Sequence, residues 1–426
     1  MFGEKNFFAG HFSPVLILFV PFYLIFATPK WLLFFQALAV GLSAVPIFLL
    51  AREKLKSQAL GLVFLVSYLL YPVLHNGLLY DFHEVVFATV FASWAFYFLE
   101  KGRDRWFIFF SVLLAMSQEH LSLLVLMMGA YLFFVKKRRR FGLIVSACSL
   151  FYFLLVIFWL MPLFSSNENL ALLQNNSTYP SRYAWLGSSP AGIIQKIISD
   201  PMSIMIVLLS PERMRYLFLL VLPVFSLAFF AWPILIILPL VFINILSSNS
   251  MTFDITFYHS AILAPFVYFS SIFVFKKWLL GIKSIKTIFA VLILIFSFIS
   301  AVMFGLTPLS PRYSLADFTP SAHSEKIKEI KNILPPDASL SVQHNLGPHF
   351  TERQNVFRFP VGADKSQYIL LDRIDPFKDN PGQVFSFPYA LQMDLTEWKD
   401  SIENAKKSAD YRLIYDSDGY LLFQKR

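Results

Sequence analysis

Five histidines punctuate the first 307 residues, at His11, His75, His83, His120 and His259, and most have an acid or a phenol close by. Asp81, His83 and Glu84 crowd into YDFHEVVF, Glu119 precedes His120 in SQEH, and Asp254 and Tyr258 precede His259 in FDITFYHS. Carboxylate plus imidazole suits a hard or borderline divalent cation such as Mg or Mn, with Asp81 and His83 as its ligands. The same pair equally suits general acid–base work. The D-F-H-E spacing matches no specific metal signature, and the chain carries no Gly-rich phosphate loop, no HExxH and no GxSxG. Its single cysteine, Cys148, lies in an apolar run, so no disulfide framework or thiolate metal site forms within one chain.

These residues sit at the seams of long apolar stretches. The chain has 426 residues, is 57% hydrophobic with 49 Phe and only 15% charged, and its mean hydropathy is +0.60. A soluble protein of this length cannot bury that much apolar surface, so the composition predicts a polytopic membrane protein. The net charge of +9 then reports loop charges that set topology rather than nucleic-acid binding. Residues 1–10 show no basic lead into a short apolar core, so no cleavable signal peptide is expected.

Hydropathy predicts about ten spans, at 31–51, 57–75, 84–100, 105–118, 121–136, 141–164, 214–231, 232–247, 260–276 and 284–306. Several are shorter than the roughly 20 residues a spanning helix needs. If they alternate, four basic clusters share one side: Arg52, Lys54 and Lys56; Lys101, Arg103 and Arg105; KKRRR at 136–140; and Lys276, Lys277, Lys283 and Lys286. The positive-inside rule makes that side cytoplasmic. Every one of the five histidines then lies on the opposite face. Ionisable groups at membrane depth are costly unless paired or wet, so a one-sided cluster points to a site, although headgroup contact is the plainer reading for any one of them. The segment 11–31, with Pro14, Pro21 and Pro29, breaks the alternation and reads as a juxtamembrane or re-entrant helix, placing 1–30 on the outer face.

Residues 31–307 are expected to form the bundle, with an outer loop at 165–213. That loop carries overlapping sequons at Asn175 and Asn176 and the basic residues Arg182, Lys196, Arg213 and Arg215, which suit either a lipid-borne phosphate or headgroups. Composition changes sharply near residue 308. Over 308–426 the sequence predicts a soluble α/β domain: helices in SEKIKEIKNIL and LTEWKDSIENAKKS, strands in SLSVQ and YILLD, and a hairpin turning at Asp416–Gly419.

A run of short motifs resembles DUF2079, a family of bacterial and archaeal membrane proteins grouped with the GT-C glycosyltransferases. They are GHFSP at 10–14, LLFFQAL at 32–38, the helix ending AVPIFLLAREKL, DFHE at 81–84, MSQEH, YAWLGSSPAGII at 183–194, YHSAILAPF at 258–266, and the tail ILPPDASLSVQHNLGPHFTERQNVFRFP. The resemblance implies a GT-C-like architecture that takes a sugar from a polyprenyl-phosphate carrier at the outer face of a cell membrane. It implies juxtamembrane helices in the first outer loop, a catalytic acid there, and a second-loop acid that helps bind a metal or the acceptor. By position Asp81 is that second acid. Similar proteins begin with a further transmembrane helix and an Asp-containing stretch before the H-F-S-P motif. This chain begins at MFGEKNFFAGHFSP, inside that loop, where Glu4 is the only acid before His11.

The expectation is therefore an all-α polytopic bundle with a C-terminal α/β domain outside the cell membrane, partnering membrane lipid, a polyprenyl-phosphate sugar donor and an acceptor. Asp81, His83 and Glu119 are the catalytic candidates, ordering a divalent cation or the donor phosphate. His11, Glu84, His120, Arg182, Tyr258 and His259 are the substrate-lining candidates. Two other readings stand beside this one: a transporter or lipid flippase, which internal repeats would favour and the sequence lacks, and a catalytically inactive scaffold.

Overall fold

In a computed structural model, residues 7–164, 182–187, 189–360, 362–374 and 395–426 are described. The chain divides into two compact units: Leu32–Tyr313 with the chain up to Val20, and Ser314–Arg426 with Pro21–Trp31. Glu4 and the sequons at Asn175 and Asn176 lie outside the described residues.

Four helical stretches are long and apolar enough to cross a membrane: Lys30–Leu55, Arg139–Phe164, Ser250–Leu279 and Ser284–Phe304. A fifth is counted if the bent pair α3 (Gln58–Leu69) and α4 (Pro72–Tyr80) forms one span, broken by 42°. The break has a local cause. Pro72 biases Tyr71 to an extended backbone, ψ 117°, which ends α3. The freed Leu69 carbonyl is met by His75 Nε2 at 2.6 Å, as a break at membrane depth requires. His75 is thereby a structural residue.

The first unit also contains α2 (Lys30–Leu55) from Leu32 on, α5 (Glu84–Phe87), α6 (Thr89–Lys101), α7 (Asp104–Ala115) and α8 (Ser122–Phe134), while α1 (Val20–Ile25) belongs, after Val20, to the second. At 12 or 13 residues, α6, α7 and α8 are each about 18–20 Å long, short of a hydrocarbon core of about 30 Å. Helix α9 (Arg139–Leu155) runs through a π turn, Val156–Leu160, into α10 (Met161–Phe164). The stretch expected as a loop at 165–213 contains two helices, α11 (Pro190–Ser199) and α12 (Pro201–Leu208), and the start of α13 (Pro211–Val221), each opened by a proline at the first helical position. The expected span 214–231 is not one helix: α13 stops before Pro223, and Phe225 and Ser226 take left-handed φ of 51° and 56°. Helix α14 (Leu238–Leu246) follows, then α15 (Ala264–Val274), buried at every residue but Phe273, and α16 (Lys283–Phe304). Phe96, Phe266 and Phe269 lock α6 to α15 through ring contacts of 4.7–5.9 Å. The N-terminal apolar stretch Pro14–Ile25 is a 3-10 turn leading into α1, too short to span.

In the second unit α17 (Ala322–Glu325) and α18 (Ile327–Ile333) precede strands β1 (Leu340–Val342), β2 (Val356–Arg358) and β3 (Tyr368–Asp372), then α19 (Leu395–Lys407), β4 (Tyr411–Ser417) and β5 (Tyr420–Lys425). The sheet order is β2-β1-β3-β5-β4, with β2, β1 and β3 parallel and β5 antiparallel to its neighbours. Alternation along β3 and β5 feeds two cores. Leu370, Tyr420 and Leu422 pack on the α18 side, while Ile369, Leu371, Leu421 and Phe423 pack on the α19 side with Trp398. The hairpin turns on Asp418 and Gly419, both left-handed at φ 52° and 90°, within the stretch the sequence indicates. A side chain at 419 would meet Ile374 Cγ1 at 2.5 Å, so glycine is required there on two counts.

Candidate functional site

The 3-10 turn Glu119–Leu121, between α7 and α8, presents Glu119 as a buried carboxylate. Its Oε2 accepts the Phe12 backbone N–H at 3.1 Å, which ties the N-terminal segment to the bundle. Its Oε1 faces His11 Nδ1 at 3.5 Å and His120 Nδ1 at 3.6 Å. Burial pushes the Glu119 carboxyl up, but hydrogen bonds and charge from His11 and His120 outweigh it and hold the group well below the usual carboxylate range. Burial likewise lowers His11, and Glu119 reverses the direction, leaving His11 raised above its ordinary 6.5. Gln118 sits 2.5 Å from His11 Nδ1.

Residues 81–83 link α4 to α5 and are braced from α2. Gln36, fully buried, donates to the Asp81 carbonyl at 2.8 Å and accepts the His83 N–H at 2.8 Å. A buried amide in an otherwise apolar helix is the signal that marks Gln36 as functional or structural. His83 stacks on Tyr258 with ring centroids 3.5 Å apart, and Tyr258 stacks on His259 at 4.1 Å. Tyr80 meets His83 edge-on at 5.3 Å. Burial pushes the His83 imidazole down to about 3, with a hydrogen bond to the Asp81 backbone only partly opposing it, so the ring is neutral at physiological pH. Its Nδ1 is buried with no hydrogen-bond partner among the described residues, as is His259 Nδ1.

The predicted residues converge. Glu84 and Arg182 act electrostatically on His11, and Arg182, His83, His120 and His11 all lie within electrostatic reach of His259. Asp81 is the exception. Its Oδ1 accepts the Phe82 N–H at 2.7 Å, and the residue is exposed at the rim; partial desolvation by the surrounding protein raises its carboxyl, with the Phe82 hydrogen bond opposing it. The carboxylates facing the histidines are Glu119 and Glu84. Among the described residues no group of three or more His, Cys, Asp or Glu could hold a metal ion; Asp81 and His83 supply one carboxylate and one imidazole. Three participants escape sequence reasoning: Gln36, Gln118, and Tyr152, a buried phenol on α9 within electrostatic reach of Glu119. Gln36 has only its amide among apolar neighbours to mark it, Gln118 stands inside a quoted motif whose residue type signals no chemistry, and Tyr152 is one aromatic among many in its run.

No curated protein and no solved structure matches this chain. A family model described as a predicted membrane protein (DUF2079) matches residues 1–422, and the chain, with its several apolar helices and small C-terminal sheet, belongs to that family.

Proposed function

We propose that this chain is a GT-C-like glycosyltransferase of the cell membrane, taking a sugar from a polyprenyl-phosphate carrier at the histidine end of its bundle. The observation that carries the reading is the company of His83: a neutral, buried imidazole with an unpartnered nitrogen, close to His11, which Glu119 raises above its ordinary value, with the Arg182 guanidinium nearby. His11 and Arg182 receive the donor phosphate, with Glu119 holding His11 in its charged form. The negative charge of the donor phosphate raises the basicity of His83, whose Nδ1 takes the proton from an acceptor hydroxyl as its oxygen attacks the anomeric carbon, and the sugar–phosphate bond breaks to release polyprenyl phosphate. Asp81 at the rim and the buried Glu84 position the acceptor, and His120, Tyr258 and His259 line its binding site. The bundle crosses the membrane about ten times, through the short helices as well as the long ones. The positive-inside rule puts this end and the C-terminal domain outside the cytoplasm.

The test is transfer from radiolabelled polyprenyl-phosphate sugars in vesicles holding the full chain. His83→Ala is expected to lower the rate by about 100-fold or more, the low end of general-base contributions, with thermal stability unchanged. Undiminished transfer in that variant would remove His83 from the mechanism. No transfer by the unmodified chain across a panel of such donors would sink the reading as a whole.

A further inference from the structure

At the opposite end of the bundle a cavity of about 590 Å³ is lined by Lys54, Lys56, Lys101 and Lys276 together with Glu53 and Glu100. The ion pairs at this end are of two kinds. Glu100, its side chain fully buried, is gripped by Lys54 at 2.9 Å, Lys136 at 2.7 Å and the Tyr131 hydroxyl at 2.9 Å. Glu53 takes Lys101 at 2.9 Å and the Tyr97 hydroxyl at 3.2 Å. These contacts tie the end of α2 to the end of α6 and fix the cavity's walls. They also consume both carboxylates. Lys56 and Lys276 line the same cavity with no carboxylate partner among the described residues, leaving it a surplus of two positive charges. Lys56 moreover stands in a left-handed backbone conformation, φ 50°, where glycine is the ordinary residue.

We propose that this cavity binds a phosphate group, with Lys56 and Lys276 as its ligands and the Lys54–Glu100 and Lys101–Glu53 pairs as its frame. A rigid, partly neutralised frame with two uncommitted ammonium groups matches a single phosphate anion better than a polyanion. Such an anion has two sources, the headgroup of an anionic phospholipid in the adjoining leaflet or a free phosphate in solution. The site is independent of the chemistry assigned to the histidine end.

The test uses the purified full chain with two probes: phosphatidylglycerol, whose retention is counted by native mass spectrometry, and inorganic phosphate, followed by calorimetry. K56Q/K276Q is compared with R139Q/R140Q, which removes equal charge from exposed arginines outside the cavity. One probe is expected to bind the unmodified chain and to bind K56Q/K276Q about 30-fold more weakly, with R139Q/R140Q unaffected. The probe that does so identifies the source. Lys276→Gln alone is expected to weaken binding about fivefold, which keeps the test open if the double variant folds poorly. Equal losses in both double variants would reduce the effect to general surface charge and overturn the site, as would a failure of both probes to bind.

Discussion

At the scale of single residues, the His11–Glu119 pair makes a pH-dependent claim on stability. His11 is raised above its ordinary 6.5, so its contribution is complete below that value and is lost as pH rises through the raised one. Glu119 is depressed below its ordinary 4.5, so its contribution is complete above that value and is lost as pH falls through the depressed one. Both are therefore present between about pH 4.5 and 6.5. We predict that His11→Gln lowers the melting temperature most in that window, by the equivalent of about 2 kcal/mol, and that the deficit shrinks as pH rises above it. A deficit constant up to pH 9 would show that the pair is not ionic. A carboxylate held this low takes a proton poorly, and so does an imidazole lowered to about 3, so a general base at this site depends on negative charge that a bound substrate brings. None of this division of labour is legible in SQEH or DFHE, because it depends on which carboxylate the fold turns toward which ring. Asp81 and Glu119 look alike in sequence; only Glu119 reaches an imidazole.

At the scale of elements, period and turn chemistry decided what could be read. YILLD and YLLFQ declare strands by composition, and the Asp418–Gly419 turn between β4 and β5 is written in residue types that tolerate left-handed backbone. Short β2, three residues at the sheet edge, has no alternation to announce it and becomes a strand only by pairing with β1. In the bundle, apolar runs locate helices well but not their continuity. Tyr71–Pro72 and Leu222–Pro223 each interrupt a run that hydropathy averages over. The C-terminal sheet gives a direct check. Leu370 is fully buried in β3 between β1 and β5, so Leu370→Ala is predicted to destabilise the domain by about 2–5 kcal/mol. In the full chain, amides of β3 and β5 should exchange with deuterium at least about 30-fold faster, while the amides of α15 stay protected. Unchanged exchange in the strands would mean that the sheet does not unfold as one unit.

At the scale of the whole bundle, the two polar ends are joined by single helices of the right length. Gln36 braces the Asp81–His83 turn and Lys54 pairs with Glu100, both from α2. Eighteen residues of helix separate them by roughly 27 Å, close to the thickness of a hydrocarbon core. The basic clusters that the sequence assigned to one side do meet. Lys54 and Lys136 share Glu100, and Lys101 and Lys276 line the same cavity. The Phe304 carbonyl at the end of α16 accepts from Asn76 of α4, five residues before Asp81, so the chain leaves α16 at the histidine end. If the basic end is cytoplasmic, residues after α16 face the other way. We predict that in a Cys148→Ser background, Ser321→Cys reacts with a membrane-impermeant maleimide in intact cells, whereas Lys137→Cys reacts only after permeabilisation. The reverse pattern would turn the bundle over. The histidine site would then open to the cytoplasm, and a lipid-linked donor presented at the outer leaflet could not reach it.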